Sequence, residues 1–290
     1  MNVRSAFDAW VSRAKTLYEQ REAERIADWV FERKTGMRRL DRITWPEREL
    51  PEEVQQSLQT ALGQLETGMP VQYILEEAWF MGEPYLVRPG VLIPRPETEE
   101  LLEWMLSDLG SGALPRPLRL LDLGTGSGCL PIAFQRKVPT AECYGLDISR
   151  QALAIAAENG RRLKAPVQWL EADMRRPETL PELPEMTLLI SNPPYIPQRE
   201  AADMQAQVRD FEPHLALFVP DEDPLLFYKI LLGLAPRLGS RDHRMYLELH
   251  ETYAEDALRL FRNSGYRKVT LKKDISGKNR MLRLSDWNPD

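Results

Sequence analysis

Histidine and cysteine are scarce in this sequence of 290 residues, which contains three histidines and two cysteines. The histidines are scattered along the chain, and neither Cys129 nor Cys143 has another metal ligand at a useful spacing. Metal sites in proteins are built mainly from such side chains held close together. We therefore expect no metal site.

Long apolar segments are absent as well. No uninterrupted apolar run reaches the length needed to cross a bilayer. The first ten residues, MNVRSAFDAW, lack the long apolar core of a secretory signal. From these two absences we expect a cytoplasmic protein that does not contact a membrane.

The sequence also lacks an excess of positively charged residues. Lysine and arginine number 38 against 44 aspartate and glutamate residues, which gives a formal net charge of -6 and an isoelectric point near 5.4. A chain with this charge has no overall field that attracts nucleic acid, so we expect no stable nucleic-acid partner. Hydrophobic residues make up 43% and charged residues 28%, values typical of a folded globular protein rather than a disordered or fibrous one.

Helical periodicity characterises residues 1–69. One predicted helical face carries four apolar side chains: Phe7, Trp10, Val11 and Leu17. A second helical segment ends at Gly36, and a third is predicted from Pro51 to Gly68. Over residues 70–94 the pattern changes to the short runs YIL, WFMG, YLV and VLI, which predict a β-hairpin linker. We therefore expect a small helical N-terminal domain that is joined through this linker to the rest of the chain.

Residues 95–290 alternate between strand-like and helix-like runs. The helical runs are 97–109, 128–136, 150–163, 224–236 and 251–264, and the strand runs are 119–123, 142–147, 166–170, 186–191 and 244–249. Such alternation predicts a doubly wound α/β domain with a mainly parallel sheet. Two more strands, 267–273 and 280–284, have no helix between them and predict an antiparallel C-terminal hairpin, which brings the sheet to seven strands.

A glycine-rich loop follows the first strand of this domain. The sequence LDLGTGSGC from Leu121 to Cys129 places a flexible turn at the start of the next helix, where the backbone can approach a ligand closely. The spacing does not fit the dinucleotide fingerprint, because Cys129 stands where its third glycine would be, and no P-loop lysine follows. A pyrophosphate is therefore not the expected ligand.

Acidic residues end the next two strands. Asp147 lies 147 − 128 = 19 residues after Gly128, where a carboxylate can accept hydrogen bonds from both hydroxyls of a ribose. Asp173 and Met174 follow the third strand and can flank an adenine. Together with the glycine loop these residues predict an adenosine site, and the alternative is that the glycines form only a tight structural turn.

The sequence SNPPYI follows the fourth strand and places Asn192 at the same edge of the sheet. Prolines restrict the preceding residue to extended conformations, so the Asn192 side-chain oxygen and the Pro193 carbonyl can accept the two N–H bonds of a planar NH₂ group. The ring of Tyr195 can stack on that group. This arrangement predicts catalysis on a carboxamide or a nucleobase amine, and the alternative is a proline turn in which Tyr195 only packs.

The combination of LDLGTGSG, the strand-ending acids and SNPPYI resembles the class I S-adenosylmethionine-dependent methyltransferases that act on planar nitrogen. The string VLIPRPETE over residues 91–99, PVQYI over 70–74, and FEP with Ala216 and Leu217 narrow the resemblance to the release factor glutamine methyltransferases. This resemblance implies transfer of methyl from S-adenosylmethionine to the glutamine amide of the Gly-Gly-Gln motif in class 1 peptide chain release factors, a protein methylation related to translation termination.

The resemblance also assigns roles to residues. It implies that residues 95–290 bind the cofactor, and we expect that the N-terminal domain recognises the substrate and that the protein is a monomer. The implied cofactor-binding residues are Gly124, Thr125, Gly126, Ser127, Gly128, Asp147, Asp173, Met174 and Asn192. The implied substrate-binding residues are Asn192, Pro193, Pro194 and Tyr195, of which Asn192, Pro193 and Tyr195 are catalytic.

Some positions depart from the family or stay ambiguous. Family members often have an aromatic residue where Met174 stands, and glycine is more usual after the acid where this chain has Leu249. Arg95 and Glu97 fit two interpretations equally well, bracing of the substrate side or capping of a helix. His214 fits a loop residue better than a site residue.

Four other functions remain open from the sequence. Adenine N6 in DNA or RNA presents the same planar NH₂ group, and a ribosomal protein glutamine is another possible acceptor. A dinucleotide oxidoreductase and a cofactor-binding scaffold without catalysis are the alternatives from other classes. The broken glycine spacing argues against the oxidoreductase, and the intact NPPY sequence argues against the scaffold.

Overall fold

The computed structural model describes residues 1–110 and 117–288. Residues 111–116 and 289–290, which belong to the predicted catalytic domain, lie outside the described residues. The contacts divide the chain into two compact units. The first unit comprises Met1–Glu77 and Gln205–Phe211, and the second comprises Ala78–Met204 and Glu212–Asp290. The domain boundaries expected from the sequence stay a prediction.

The first unit is helical, as the sequence predicts. Its helices are α1 (Val3–Ala14), α2 (Gln20–Thr35), α3 (Arg39–Thr44), α4 (Glu52–Glu66) and α5 (Val71–Leu75), together with the later helix Ala206–Phe211. Its core contains Trp10 and Phe31, and Phe31 also packs edge-on against the ring of Phe7. Gly36 ends α2 in the left-handed conformation with φ of 71°, which glycine adopts without strain. The prediction for Leu17 was wrong, because this residue lies beyond α1 and is exposed.

Residues 70–94 contain a hairpin and one helix that the sequence did not predict. Strands β1 (Ala78–Phe80) and β2 (Glu83–Tyr85) pair antiparallel. The run YIL lies in the helix α5, so its interpretation as part of a strand pattern was wrong. Pro70 precedes that helix with φ of -54°, a value that suits a helix start. The run VLI at residues 91–93 forms no strand.

The second unit contains a seven-stranded sheet. Its strands are β3 (Arg119–Leu123), β4 (Glu142–Asp147), β5 (Val167–Glu171), β6 (Met186–Ser191), β9 (Gly239–Glu248), β10 (Tyr266–Lys273) and β11 (Asn279–Trp287), and a separate parallel pair is formed by β7 (Ile196–Pro197) and β8 (Phe218–Val219). The order across the sheet is β10-β11-β9-β6-β3-β4-β5. Strands β9, β6, β3, β4 and β5 are parallel, whereas β11 runs antiparallel to β9 and to β10. The predicted fold class is therefore confirmed.

Helix α6 (Pro96–Gly110) precedes the parallel strands and α12 (Ala254–Arg262) follows them. The helices between them in the sequence are α7 (Cys129–Lys137), α8 (Arg150–Arg162), α9 (Ala206–Phe211, which belongs to the first unit), α10 (His214–Leu217) and α11 (Leu226–Leu238). Strand β9 begins five residues before the predicted start at residue 244, since 244 − 239 = 5. The polar sequence SRDH at residues 240–243 lacks the apolar pattern of a buried strand, so this extension was not predicted. Among the described residues, no helix is both long enough and apolar enough to span a membrane.

Parallel strands align their carboxyl ends at one edge of the sheet. The strands β3, β4, β5, β6 and β9 end at Leu123, Asp147, Glu171, Ser191 and Glu248. In open α/β sheets this edge is where ligands bind. The topology therefore places the glycine loop, the strand-ending acids and SNPPYI on the same side of the second unit.

Candidate active site

A cavity of about 230 Å³ opens at the carboxyl edge of the sheet in the second unit. Its lining includes these residues singled out from the sequence: Gly124, Gly126, Asp147, Asp173, Met174, Asn192 and Pro194. Apolar side chains also line it: Leu92, Ile148, Leu215 and Phe227. The structure thus brings both predicted sites to one cavity, although the roles of these residues stay predictions.

The glycine loop uses several of its own backbone N–H groups inside the protein. The N–H groups of Gly124 and Thr125 both donate to the Leu146 carbonyl, at 2.8 and 2.9 Å. The Gly126 N–H donates to Asp147 Oδ2 at 2.9 Å, and the Gly128 N–H donates to the Thr125 carbonyl at 2.8 Å. Phosphate-binding loops instead direct such groups at the ligand. The loop geometry therefore disfavours a phosphate ligand.

The three glycines of the loop meet different constraints. An added Cβ at Gly128 would lie 2.7 Å from the ring of Trp169 and 2.9 Å from Ala156, so packing alone requires glycine there. At Gly126 an added Cβ would meet nothing within 4 Å, and φ of 53° is the main local constraint. An added Cβ at Gly124 would lie 3.5 Å from Met174 Cε, which is an ordinary van der Waals distance. Gly128 is therefore a packing residue in this structure, whereas Gly124 and Gly126 line the cavity.

Asn159 supports the loop from behind and was not identified from the sequence. Its Nδ2 donates to the carbonyls of Ser127 and Leu86, at 2.9 and 3.0 Å, and its Oδ1 accepts from the Leu86 N–H at 2.7 Å. The side chain is fully buried. Ser127 is itself buried and its carbonyl is held in this way, so its predicted contact with a cofactor stays a prediction.

Asp147 lines the cavity at the end of β4. Its Oδ2 accepts from Gly126, and its Oδ1 accepts from the Ser149 N–H at 2.9 Å. Burial raises the pKa of Asp147, and the backbone hydrogen bonds partly offset this effect. Each carboxylate oxygen can accept a further hydrogen bond, so the geometry suits a ligand with two adjacent hydroxyl groups.

Asp173 and Met174 lie at the end of β5. The Asp173 carboxylate pairs with the Arg175 guanidinium, with Oδ2 2.9 Å from Nη2, and this hydrogen bond lowers the pKa of Asp173. Met174 is buried in the core beneath the loop and lines the cavity with its thioether side chain. A thioether can pack against a flat ring, so Met174 offers an apolar wall.

Asp122 is an unusual acid that the sequence analysis quoted but did not interpret. It is 1% exposed near the end of β3, and neither of its carboxylate oxygens has a hydrogen-bond partner among the described residues. Burial raises the pKa of Asp122 to about 7, an effect that the nearby Thr125 hydroxyl reduces. An unpaired buried carboxylate is costly, and a cationic ligand would compensate for it.

A chain of hydrogen bonds holds the NPPY sequence. Asn192 Nδ2 donates to Thr98 Oγ1 at 3.0 Å, and Thr98 Oγ1 donates to Glu248 Oε2 at 2.6 Å. The Tyr195 hydroxyl donates to Glu248 Oε1 at 2.9 Å, and the Tyr195 ring packs against the core. Burial raises the pKa of Glu248, and the hydrogen bonds from Thr98 and Tyr195 act in the opposite direction. Stacking of Tyr195 on a substrate stays a prediction.

Arg95 joins two of the sequence strings that carried the family resemblance. Its guanidinium forms an ion pair with Glu212, which is buried and also accepts from the Ile93 N–H at 3.0 Å. The Arg95 carbonyl also accepts from the N–H groups of Thr98 and Glu99 at the start of α6, so both interpretations of Arg95 stay predictions. His214 packs edge-on against Phe218 with ring centroids 5.1 Å apart, and His214 does not line the cavity.

Sequence reasoning missed Thr98, Glu248 and Phe227 as residues of the site. Thr98 and Glu248 are separated by 150 residues and meet only through the fold. A buried acid at the end of a fifth strand was the available signal for Glu248. Phe227 lies in an apolar helix, where its sequence context gives no sign of a cavity.

This chain matches two protein families and resembles known proteins over most of its length. Residues 8–75 match the PrmC N-terminal domain family, and residues 103–211 match the methyltransferase small domain family. The release factor glutamine methyltransferase of Flavobacterium psychrophilum is 34% identical over 284 residues, which cover 98% of each chain. The protein of the same name from Bacteroides thetaiotaomicron is 40% identical over 228 residues, covering 79% of this chain and 80% of that protein.

Solved structures share the fold at lower identity. A methyltransferase from Pyrococcus furiosus aligns with a TM-score of 0.50 and 14% identity, over 72% of this chain and 91% of that one. The delta-N METTL16 methyltransferase domain aligns with a TM-score of 0.51 and 18% identity, over 81% of this chain and 97% of that one. At these identities the likeness shows the fold alone.

Proposed function

Since this chain belongs to the release factor glutamine methyltransferases, an enzyme family, we propose that it methylates the side-chain amide nitrogen (N5) of the glutamine in the Gly-Gly-Gln motif of class 1 peptide chain release factors, with S-adenosylmethionine as the methyl donor. The observation that carries the proposal is the position of Asn192. Its amide lines the same cavity as Asp147 and Met174, so an acceptor amide and a nucleoside can meet there.

The residues present fit S-adenosylmethionine. Asp147 would accept hydrogen bonds from the two ribose hydroxyls, and Met174 with Ile148 and Phe227 would pack on the adenine. The buried carboxylate of Asp122 does not line the cavity, so it would favour the positive charges of the cofactor only through space. A glycine loop that uses its amides internally suits a cofactor without phosphate.

The bound cofactor would supply a methyl group on a positively charged sulfur, which is an electrophile. The residues of this chain would orient the acceptor. The Asn192 side-chain oxygen and the Pro193 carbonyl would accept the two N–H bonds of the glutamine amide, so that its nitrogen points at the methyl group. Positive charge develops on that nitrogen as it gains the methyl group, two fixed acceptor dipoles would stabilise it, and one of its two N–H protons would then be lost to water. Each such dipole contributes ~3 kcal/mol by analogy with oxyanion-hole donors, and correct positioning adds several more.

We propose the same organisation of the chain as the sequence predicts. Residues 1–69 would recognise the release factor, residues 70–94 would link the parts, and residues 95–290 would carry out catalysis. We expect a cytoplasmic monomer. An acidic chain with a short helical extension suits a protein substrate better than DNA or RNA.

Methyl transfer from labelled S-adenosylmethionine tests this function. The acceptors are an unmodified release factor, the same factor with its Gly-Gly-Gln glutamine replaced, a ribosomal protein mixture and unmethylated duplex DNA. We expect label on the intact release factor alone, and we expect none with the Asn192→Ala variant. Label on DNA would reassign the acceptor to adenine, and label on a ribosomal protein would reassign it to another glutamine. Tight cofactor binding without transfer to any acceptor would contradict the proposed substrate.

A further inference from the structure

The hydrogen bonds around Asn192 have a fixed direction. An ionised carboxylate can only accept hydrogen bonds, and a threonine hydroxyl has a single proton to donate. Thr98 therefore donates its proton to Glu248 and must accept from Asn192. The Asn192 group that faces Thr98 is then the NH₂ group, and the side-chain oxygen is the atom left for a ligand.

A reversed Asn192 amide would have two defects. Its oxygen would face the Thr98 oxygen, whose proton already lies on the bond to Glu248, so two acceptors would meet. Its NH₂ group would face the glutamine NH₂ group, so two donors would meet. Both mismatches would be unfavourable, because polar groups withdrawn from water need hydrogen-bond partners. The orientation of the amide therefore depends on a carboxylate that does not contact it.

We propose that Glu248 is a positioning residue that sets the orientation of the Asn192 amide through Thr98 and fixes Tyr195 through its second oxygen. This inference rests on the proposed function, because the orientation matters only for an acceptor that presents a planar NH₂ group. One carboxylate at the end of β9 would thus hold both ends of the NPPY sequence, which follows β6.

The surroundings of Glu248 suit this role. Its side chain is 1% exposed, so water does not compete for its oxygens. The positive charge of Arg280 lies close enough to favour the ionised form, and Glu97 acts in the opposite direction. Arg280 is held in turn by the Leu249 carbonyl at 3.3 Å and by ion pairs with Asp274 and Glu251. Arg280 thus opposes the rise in the pKa of Glu248 that burial causes, and it favours a charged acceptor behind Thr98.

Variants of Thr98 test the relay. Thr98→Val keeps the shape of the side chain and removes the hydroxyl, whereas Thr98→Ser keeps the hydroxyl. We expect Thr98→Val to lower kcat for release factor methylation about 100-fold, with KM and the cofactor Kd within about twofold of the starting values. Thr98→Ser should recover most of the activity. Thr179→Val, at an exposed position, is the matched control.

Variants of Glu248 test the shared acceptor. Glu248→Gln leaves one oxygen that accepts and one NH₂ group that only donates, so the side chain can no longer accept from both Thr98 and Tyr195, and kcat should fall whenever the NH₂ group faces Thr98. In a Tyr195→Phe background that single oxygen can turn to Thr98, so we expect Glu248→Gln to cost much less there. Equal costs in both backgrounds would overturn the shared-acceptor role.

The relay itself is wrong if folded Thr98→Val keeps its kcat, or if Thr98→Ser is as impaired as Thr98→Val. Thermal unfolding and cofactor titration of each variant separate positioning from loss of structure. Failure of the proposed function would appear differently, as an unchanged chain that binds cofactor and does not methylate the release factor.

Discussion

Replacement of Asp122 by asparagine should change protein stability and cofactor binding in opposite directions. Asp122 is buried without a hydrogen-bond partner among the described residues, and its pKa is raised from 3.8 to about 7. A raised carboxyl pKa means that the folded protein holds a proton which the unfolded chain releases at lower pH. This group therefore reduces the free energy of unfolding as pH rises from about 4 to 7, and the full cost remains above pH 7.

The expected magnitude follows from the size of the shift. About three pKa units correspond to about 4 kcal/mol at pH 8. Asparagine removes the charge but leaves a buried amide that costs about 1–3 kcal/mol, so the net gain is about 2 kcal/mol. For a chain of this size that gain raises Tm by roughly 5 °C at pH 8. At pH 5 the folded carboxyl is already protonated, and we expect the gain to approach zero.

Cofactor binding should weaken in the same variant. Asp122 does not line the cavity, so its charge would act on the positive charges of S-adenosylmethionine through space, and loss of the carboxylate should weaken binding about 10-fold. The nucleoside 5′-methylthioadenosine lacks both the ammonium and the sulfonium charge and is the uncharged control, with an expected Kd close to that of the starting protein.

Calorimetric titration at pH 8 and thermal unfolding at pH 5 and pH 8 measure both effects. A lower Tm at pH 8 would refute the electrostatic cost. An equal loss of affinity for both ligands would refute an electrostatic effect of Asp122 on the positive charges of the cofactor.

Three further predictions concern packing, an ion pair and pH. Gly128→Ala should lower Tm strongly, because the added Cβ would lie 2.7 Å from the indole ring of Trp169. Gly126→Ala should lower Tm much less, because its added Cβ would meet nothing within 4 Å, and thermal unfolding of both variants checks this difference. Arg95→Ala should reduce the free energy of unfolding by about 3 kcal/mol, since it leaves the buried Glu212 carboxylate without its cation, and denaturant unfolding should show recovery when Glu212→Gln is added. Tyr195→Phe removes a hydrogen bond that lowers the pKa of Glu248, so the acid limb of the kcat–pH profile should move to higher pH; an unmoved limb would contradict this.

The sequence predicts the strands of the site more accurately than the contacts among its side chains. Strands 119–123, 142–147 and 186–191 have the predicted bounds, because apolar runs there end abruptly at glycine, aspartate or an Asn-Pro pair. A parallel sheet then brings those ends together without any further information. Asp147 and Asn192 were placed at the cavity edge by this argument alone.

Other features depend on information that no local pattern contains. The bond between Thr98 and Glu248 joins residues 150 positions apart, so only the folded topology reveals it. Asp122 stands in an apolar strand, and the sequence gives no sign that its carboxylate lacks a partner. The run YIL is apolar and fits a buried strand and a buried helix equally well, so its pattern does not distinguish the two. In the structure it lies in α5, which begins directly after Pro70.

The division of the chain into units constrains how such proteins can recombine. The polypeptide passes between the two units at three points, after Glu77, after Met204 and after Phe211. A fragment that ends at residue 77 lacks α9, so Tyr18 loses its hydrogen bond with Gln207 and the surface beside Gly68 loses the ring of Phe211. An exchange of the helical unit between relatives must therefore transfer two separate segments, residues 1–77 and residues 205–211. The shorter segment lies only ten residues after Tyr195, since 205 − 195 = 10, so it is encoded close to the NPPY sequence.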